Sequence, residues 1–198
     1  MVIAARRDDD RLLSVAYAQR ALARVGQGRL SDFCALAMGD LTEAVRLGSS
    51  SPIVYSLRAG CFRTRGDFDA AFADLDQAAK FSAPDERWRV AHNRGDVYFS
   101  MQRYREAIAQ FDIAIGSTPA SAKEALAESY RDRGGSWMGL GRSDRALADV
   151  NEALSIDPNN VGAYLYRALI HKARGDLALS RSDMARARQL DPRLPTID

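Results

Sequence analysis

The sequence predicts an all-α fold: a right-handed superhelical solenoid of antiparallel helix pairs, with about ten helices. Two observations predict it. Pro158 and Pro192 stand 34 residues apart, and Gly141 and Gly175 keep the same spacing. Small and large side chains also recur at fixed places within that period, as expected of stacked helical hairpins that share one continuous core.

The period divides most of the chain into four repeats. They cover residues 52–85, 88–121, 127–160 and 161–194, with two extra residues after the first repeat and five after the second. Each is predicted to hold two helices joined by a tight turn. A place is a position counted from the first residue of a repeat, beginning at Pro52, Trp88, Ala127 and Val161.

Residues 10–51 are predicted to form a further, degenerate repeat that caps the solenoid. Its segments LLSVAYAQRALARV and DFCALAMGDLTEAVRL have helical apolar patterns on either side of the turn GQGRLS. Two registers are possible for this repeat, one anchored on Gly28, which is matched to the turn glycines, and one anchored on Ala44, which is matched to the alanine at the twenty-seventh residue of the other repeats. They differ by four residues, about one helical turn, so we expect a lengthened second helix. The cap and the four repeats together predict a single domain over residues 1–198.

Small residues occupy three places, where they would let two helices approach closely. These are place 8 (Ala59, Gly95, Gly134, Ala168), place 20 (Ala71, Ala107, Ala146, Ser180) and place 27 (Ala78, Ala114, Ala153, Ala187). Large residues alternate with them at place 4 (Tyr55, Tyr130, Tyr164), place 11 (Phe62, Tyr98, Trp137, His171) and place 24 (Leu75, Phe111, Val150, Met184). Large side chains are therefore expected to pack against small ones across each hairpin.

Turn and stop residues fall where the hairpins need them. Gly66, Gly141 and Gly175 are predicted to end first helices in the left-handed conformation, with Gln102 at that place in the second repeat. Pro119, Pro158 and Pro192 are predicted to stop second helices.

The period, the pattern of small and large residues and the closing proline resemble the tetratricopeptide repeat family over residues 52 to 192. The departures are modest: Ala91 replaces a bulky residue, Ala83 replaces the first closing proline, and His171 stands at an aromatic place. The resemblance implies a protein that binds other proteins, and it does not name a partner.

Composition is that of an ordinary soluble globular protein, with 46% hydrophobic and 27% charged residues and no apolar run long enough to cross a membrane. The start, MVIAARRDDD, lacks a signal-peptide pattern, which predicts a cytoplasmic protein, although a missing leader and an exported form stay open. Cys34 and Cys61 lie in helical apolar patterns without a metal-binding motif, so they are expected to be buried free thiols.

The charge pattern disfavours nucleic acid as a partner. The net charge is only +2, and the 26 acidic residues are interspersed among the basic ones, so no basic stripe forms. Arginine far outnumbers lysine, which occurs only at Lys80, Lys123 and Lys172.

Arginine also stands at place 7 of every repeat, as Arg58, Arg94, Arg133 and Arg167. Place 23 offers a matching acceptor, as Asp74, Gln110, Asp149 and Asp183. We expect buried or half-buried pairs that link the two helices of each repeat, with a structural role rather than a role in ligand binding.

The first helices would line the concave face at places 2, 5, 6, 9 and 12. We predict a groove there for a peptide segment with an acidic residue near Arg89 and Arg131 and an apolar anchor near Tyr166. A solvated face without a ligand is the alternative. The candidate residues are Arg63, Arg89, His92, Asn93, Asp96, Phe99, Arg131, Asp132 and Tyr166.

Family members that clamp the C-terminal carboxylate of chaperones carry Lys, Asn and Arg at defined places of this groove. Here only Asn93 fits, while Ser56, Gly60, Glu128 and Asp132 stand at the other places, so we do not expect a chaperone clamp.

No catalytic residue, metal site or cofactor is predicted, because no phosphate loop, GxSxG, HExxH or pair of metal-spaced histidines occurs. We therefore predict a non-catalytic interaction scaffold or adaptor. The first alternative is a self-assembling homo-oligomer that uses the face of Ser180 to Leu190. The remote alternative is an accessory domain of an enzyme complex.

Overall fold

The prolines and turn residues divide the chain into ten α-helices in the computed structural model, which describes residues 2–24 and 30–194, with side chains from 10 to 24 and from 33 onward. The helices are α1 (Val2–Leu22), α2 (Leu30–Arg46), α3 (Pro52–Arg65), α4 (Phe68–Phe81), α5 (Arg87–Ser100), α6 (Tyr104–Ser117), α7 (Lys123–Gly139), α8 (Ser143–Ile156), α9 (Val161–Arg174) and α10 (Leu177–Leu190). A 3₁₀ helix, Pro84–Glu86, precedes α5, and the described residues contain no strand. The predicted all-α fold class is confirmed.

The chain forms two compact halves, residues 1–97 and residues 98–198, whose boundary falls within α5. In the first half, α1 packs on α2, α2 on α3, and α3 on α4. In the second half, each helix from α6 to α10 packs on the next. The single domain over residues 1–198 stays a prediction.

Helix ends follow the predicted stop residues. Thr118, Asp157 and Asp191 each precede a proline and have extended backbone, so α6, α8 and α10 end one residue earlier. The turn glycines have φ between +69° and +86°, and Gln102 has φ +58°, the only positive φ of a non-glycine residue in the described part of the chain. The turn GQGRLS falls largely outside the described residues.

Three helices, α1, α2 and α7, are longer than the 14-residue helices of the other repeats. α7 begins at Lys123, four residues before the predicted start of the third repeat, and is 17 residues long where α3 has 14. α2 is also 17 residues long, which confirms the lengthened second helix of the cap. α1 begins at Val2, well before the predicted start of that helix.

Small residues at places 8, 20 and 27 are all buried, and the hairpins of the first, third and fourth repeats close as predicted. Gly134 shows how close the helices come: a Cβ atom added there would lie 2.9 Å from Val150 Cγ2 and 3.2 Å from the backbone oxygen of Ala146. His171 fills its aromatic place with only 12% of its side chain exposed.

The predicted Arg-Asp pairs form in the first, third and fourth repeats. In each, the arginine Nε and Nη2 atoms donate to the two carboxylate oxygens over 2.6 to 2.9 Å. Each guanidinium also lies over the aromatic ring at place 4 of its own helix, for example Arg133 over Tyr130 at 5.3 Å. The hydrogen bond to Asp149 raises the pKa of Arg133 above its ordinary value. Burial acts in the opposite direction and does not cancel this rise.

The place-7 arginines also contact the preceding repeat, and the sequence pattern did not predict this contact. Place 25 supplies the acceptor: Arg133 Nη1 donates to Asp112 over 2.6 Å, and Arg167 Nη1 donates to Asn151 over 2.9 Å. Arg94 pairs with Asp76 of the first repeat. Its predicted pair with Gln110 would join the two halves and stays a prediction.

The cap carries the same interaction in a doubled form. Arg20 is at place 7 in the register anchored on Gly28, and Arg24 is at place 7 in the register anchored on Ala44. Both pair with the buried carboxylate of Asp40, Arg24 Nη1 over 2.9 Å and Arg20 Nε over 2.7 Å. The hydrogen bond from Arg20 holds the pKa of Asp40 below its ordinary value.

The prediction of two free thiols is wrong, because Cys34 on α2 and Cys61 on α3 form a disulfide. Both residues are buried in the core shared by α1, α2 and α3, and their Cα atoms are 5.3 Å apart. Helix packing brings together two residues 27 positions apart, so no local motif indicates the pair.

Asp149→Ala is expected to lower the free energy of unfolding by about 1–3 kcal/mol, because it leaves Arg133 without its bidentate acceptor. The loss is smaller than for a fully buried pair, since Arg133 is 20% exposed and keeps Asp112. Denaturant unfolding followed by circular dichroism measures it. Glu152→Ala, at an exposed site of the same helix, should change stability by less than about 0.5 kcal/mol; equal effects of the two substitutions would refute the structural role.

Reduction of the disulfide is expected to lower the free energy of unfolding by about 3–4 kcal/mol, because the bond restricts the unfolded chain over the 27 residues it spans. Unfolding with and without dithiothreitol measures the change, and the double variant Cys34→Ser/Cys61→Ser serves as the control that reductant must not affect. Insensitivity of the natural sequence to dithiothreitol would contradict the bond.

Candidate functional site

In the first half, the predicted groove residues divide between a cleft and its surroundings. A cleft of about 210 Å³ lies between first helices α3 and α5. Arg63, Asn93 and Asp96 are at this cleft, and its full lining is Ser56, Leu57, Ala59, Gly60, Arg63, Leu75, Asn93, Asp96 and Val97. The structure therefore brings together three of the five candidates from this half.

The cleft has an apolar floor and a polar rim. Leu75 and Val97 are almost fully buried beneath it, while Ser56, Asn93, Arg63 and Asp96 are half-buried around it. Gly60 opens the cleft, because a Cβ atom added to it would meet no atom within 4 Å. This arrangement can hold a small apolar side chain while the rim hydrogen-bonds to the backbone on either side of it.

The other two candidates of this half do not line the cleft. Arg89 is exposed, and its guanidinium lies 4.3 Å from the centre of the Trp88 ring, a cation-π contact within its own helix. His92 is half-buried on α5, one residue before Asn93.

In the second half, Arg131 and Asp132 bind each other. Arg131 Nε and Nη2 donate to the two oxygens of Asp132 over 2.8 and 2.9 Å. Burial alone would lower the pKa of Arg131, but the hydrogen bond and charge of Asp132 outweigh it, so the pKa is raised. Arg131 also packs on Gly162, where a Cβ atom would lie 2.8 Å from its Cδ. Asp132 therefore already neutralises part of the positive charge of Arg131, which was predicted to attract an acidic ligand.

Aromatic and apolar residues follow along the second half. The Tyr166 ring packs on Gly135, where a Cβ atom would lie 2.9 Å from Tyr166 Cζ. Leu169, one turn beyond Tyr166, leaves half of its surface exposed. Phe99 packs edge to face against Tyr104, with ring centres 5.6 Å apart. The predicted apolar character of this end is visible in Tyr166 and Leu169.

The structure contains a second cleft that the sequence pattern does not predict. It has a volume of about 330 Å³, lies among α6, α7 and the start of α8, and is lined by Arg105, Ile108, Trp137, Leu140, Arg142 and Arg145. Arg105 and Arg145 stand at places where no other repeat has an arginine, so the repeat pattern does not indicate this cleft. Two arginines within about eight residues after a tryptophan, at a turn, would have been the available signal.

None of the described helices has the length and apolar character needed to cross a membrane.

The chain is similar in sequence to several curated proteins and in fold to several solved structures. The chain is 33% identical over 90 residues to small glutamine-rich tetratricopeptide repeat-containing protein 2 of Mycosarcoma maydis, a match that covers 44% of this chain and 25% of that protein. It is 29% identical over 162 residues to the DnaJ homolog subfamily C member 7 homolog of Dictyostelium discoideum, covering 77% of this chain and 30% of that one. The chain thus spans less than a third of either relative.

Among solved structures, PilW, a type IV pilus biogenesis factor, superposes with a TM-score of 0.71 at 17% identity, over 96% of this chain and 79% of that one. At that identity the likeness shows the fold. The model of the family described as tetratricopeptide repeat matches residues 92–137 and 138–195, slightly more than half of the chain. The chain belongs to the tetratricopeptide repeat family.

Proposed function

We propose that the chain is a non-catalytic scaffold that captures a peptide segment of another protein on the face formed by the first helices of its repeats. The family supports protein binding in general. The observation that carries the finer proposal is the cleft between α3 and α5, with its apolar floor and polar rim.

Rim chemistry favours an extended segment over a small molecule. Asn93 offers both a donor and an acceptor, which suits a peptide backbone, and Leu57 beside Gly60 leaves room for one apolar side chain. The cleft is small, at about 210 Å³, so it would hold one anchoring residue while neighbouring residues of the segment lie across α3 or α5.

Self-assembly through Ser180 to Leu190 has less support. The side chains that α10 exposes over this stretch are mainly polar or charged, since Ser180, Asp183 and Ala187 are buried while Arg181, Ser182, Arg186 and Gln189 are exposed. Place 25 of this repeat is Ala185, which offers no side-chain acceptor for the arginine of a further repeat. A polar surface without that acceptor gives a second copy of the chain little to pack against.

Cys34 and Cys61 bear on the compartment in which the scaffold works. Disulfides persist in oxidising compartments and are rare in the cytosol, so the bond supports the exported form over the cytoplasmic one. Alkylation of free thiols in protein from its native source, before denaturation, tests this. Two alkylated cysteines would place the chain in a reducing compartment.

Gly60→Leu is the sharpest test of the peptide cleft. The new side chain enters open space and fills the cleft, so we expect at least about a tenfold loss of partner capture in a pull-down from native lysate, with unchanged helicity. Gly39→Leu is a matched control, because Gly39 is also helical and open but lies on α2, outside the cleft. Equal capture by both variants would move binding away from this cleft.

Arg131→Glu would be a poorer test of the predicted groove. It would put a third carboxylate beside Asp132 and Glu128 and would remove the packing on Gly162, so lost binding could report lost structure. Arg89→Glu avoids this problem because Arg89 is exposed.

A further inference from the structure

The second cleft combines an apolar floor with three arginines. Ile108 is buried, Trp137 and Leu140 are half-buried, and the guanidinium of Arg145 lies 4.6 Å from the centre of the Trp137 ring. Arg105, Arg142 and Arg145 are exposed at its edge. We call the six lining residues, Arg105, Ile108, Trp137, Leu140, Arg142 and Arg145, the arginine cleft.

No acidic residue lines the arginine cleft, and the two acids adjacent in sequence to its arginines pair with arginines outside it. Glu106 accepts from Arg103 Nε over 2.8 Å, and Asp144 pairs with Arg174. That hydrogen bond from Arg103 is the main cause that lowers the pKa of Glu106, with a smaller effect from Arg105. Within the described residues, none of the three cleft arginines forms an ion pair, in contrast to the place-7 arginines.

The repeat architecture does not require these arginines. Place 16 is the N-cap of each second helix, and its residues in chain order are Asp67, Arg103, Arg142 and Asp176. Asp67 accepts from the backbone N–H of Ala70, as an N-cap residue should. Arg103, Arg142 and Asp176 make no side-chain capping hydrogen bond. Arg142 at the edge of the cleft therefore does not cap α8, although an aspartate at the same place caps α4.

The start of α8 adds to the positive potential. Arg142 and Arg145 flank its first turn, where backbone N–H groups point outward and the helix dipole is positive. Guanidinium groups bind carboxylates in paired hydrogen bonds, and the floor formed by Ile108, Trp137 and Leu140 suits an apolar side chain. An extended nucleic acid fits less well, because acidic residues are interspersed over the rest of the chain.

We propose that the arginine cleft is a second interaction surface, which binds an acidic segment of a partner protein that carries carboxylates on either side of an apolar residue. The carboxylates pair with Arg105 and Arg142, and the apolar side chain packs against Leu140 and Trp137. This surface is separate from the cleft between α3 and α5, and its binding does not depend on the function proposed for that cleft.

Binding of a fluorescein-labelled Glu-Glu-Leu-Glu-Glu peptide, followed by fluorescence anisotropy, tests the proposal. Arg142→Asp is the informative variant, because it reverses one charge and restores the residue found at this place in the first repeat. We expect at least about a tenfold loss of affinity and a melting temperature that does not fall. Arg181→Asp, an exposed site on α10 with the same change in net charge, should leave affinity within about twofold.

Three outcomes would overturn the proposal: no binding of the peptide at low salt, equal losses for Arg142→Asp and Arg181→Asp, and complete displacement by single-stranded DNA that binds more tightly than the peptide. The second would indicate attraction to net charge, and the third a nucleic-acid surface. A Glu-Glu-Ser-Glu-Glu peptide that binds as tightly would refute the apolar contact.

Discussion

Close approach of the two helices within the hairpins of the first, third and fourth repeats is the constraint on which the rest of the fold depends. At Gly134 the backbone of α7 lies so near α8 that even a methyl group would contact Val150 and the carbonyl of Ala146. Small residues at places 8, 20 and 27 allow this spacing in the first, third and fourth repeats, and all of them are buried. Since such packing leaves little volume for adjustment, it fixes which neighbouring side chains can reach across the hairpin.

The arginine at place 7 lies beside this close contact, and the short distance between helices lets one guanidinium serve three purposes. It neutralises the buried carboxylate at place 23, covers the aromatic ring at place 4, and donates to place 25 of the preceding repeat, as Arg133 does with Asp149, Tyr130 and Asp112. The planar, multiply donating group is what allows this, and a lysine could not replace it. The preference for arginine over lysine in this chain thus has a structural component.

Features that recur in several repeats could be predicted from the sequence, and single features could not. Asp74, Asp149 and Asp183 stand 16 residues after their arginines, and this constant spacing makes those pairs recognisable in the sequence. The pairing of Asp40 could not be predicted, because the sequence of the cap allows two registers. In the structure, one arginine from each register binds this carboxylate. The disulfide and the arginine cleft each occur once and depend on contacts between helices, so the repeat pattern in the sequence does not predict them.

Contacts between repeats tolerate changes in length that contacts within repeats do not. The pair within the first, third and fourth repeats spans 16 residues, whereas the bond to the preceding repeat spans 18 residues from Arg94, 21 from Arg133 and 16 from Arg167. The first three repeats carry an acceptor at place 25, so duplication of any one of them, or loss of the second or third, would again join an arginine to an equivalent acceptor. An insertion inside a hairpin would separate the pair. The architecture can therefore be lengthened or shortened in steps of one repeat, with small insertions confined to the connections.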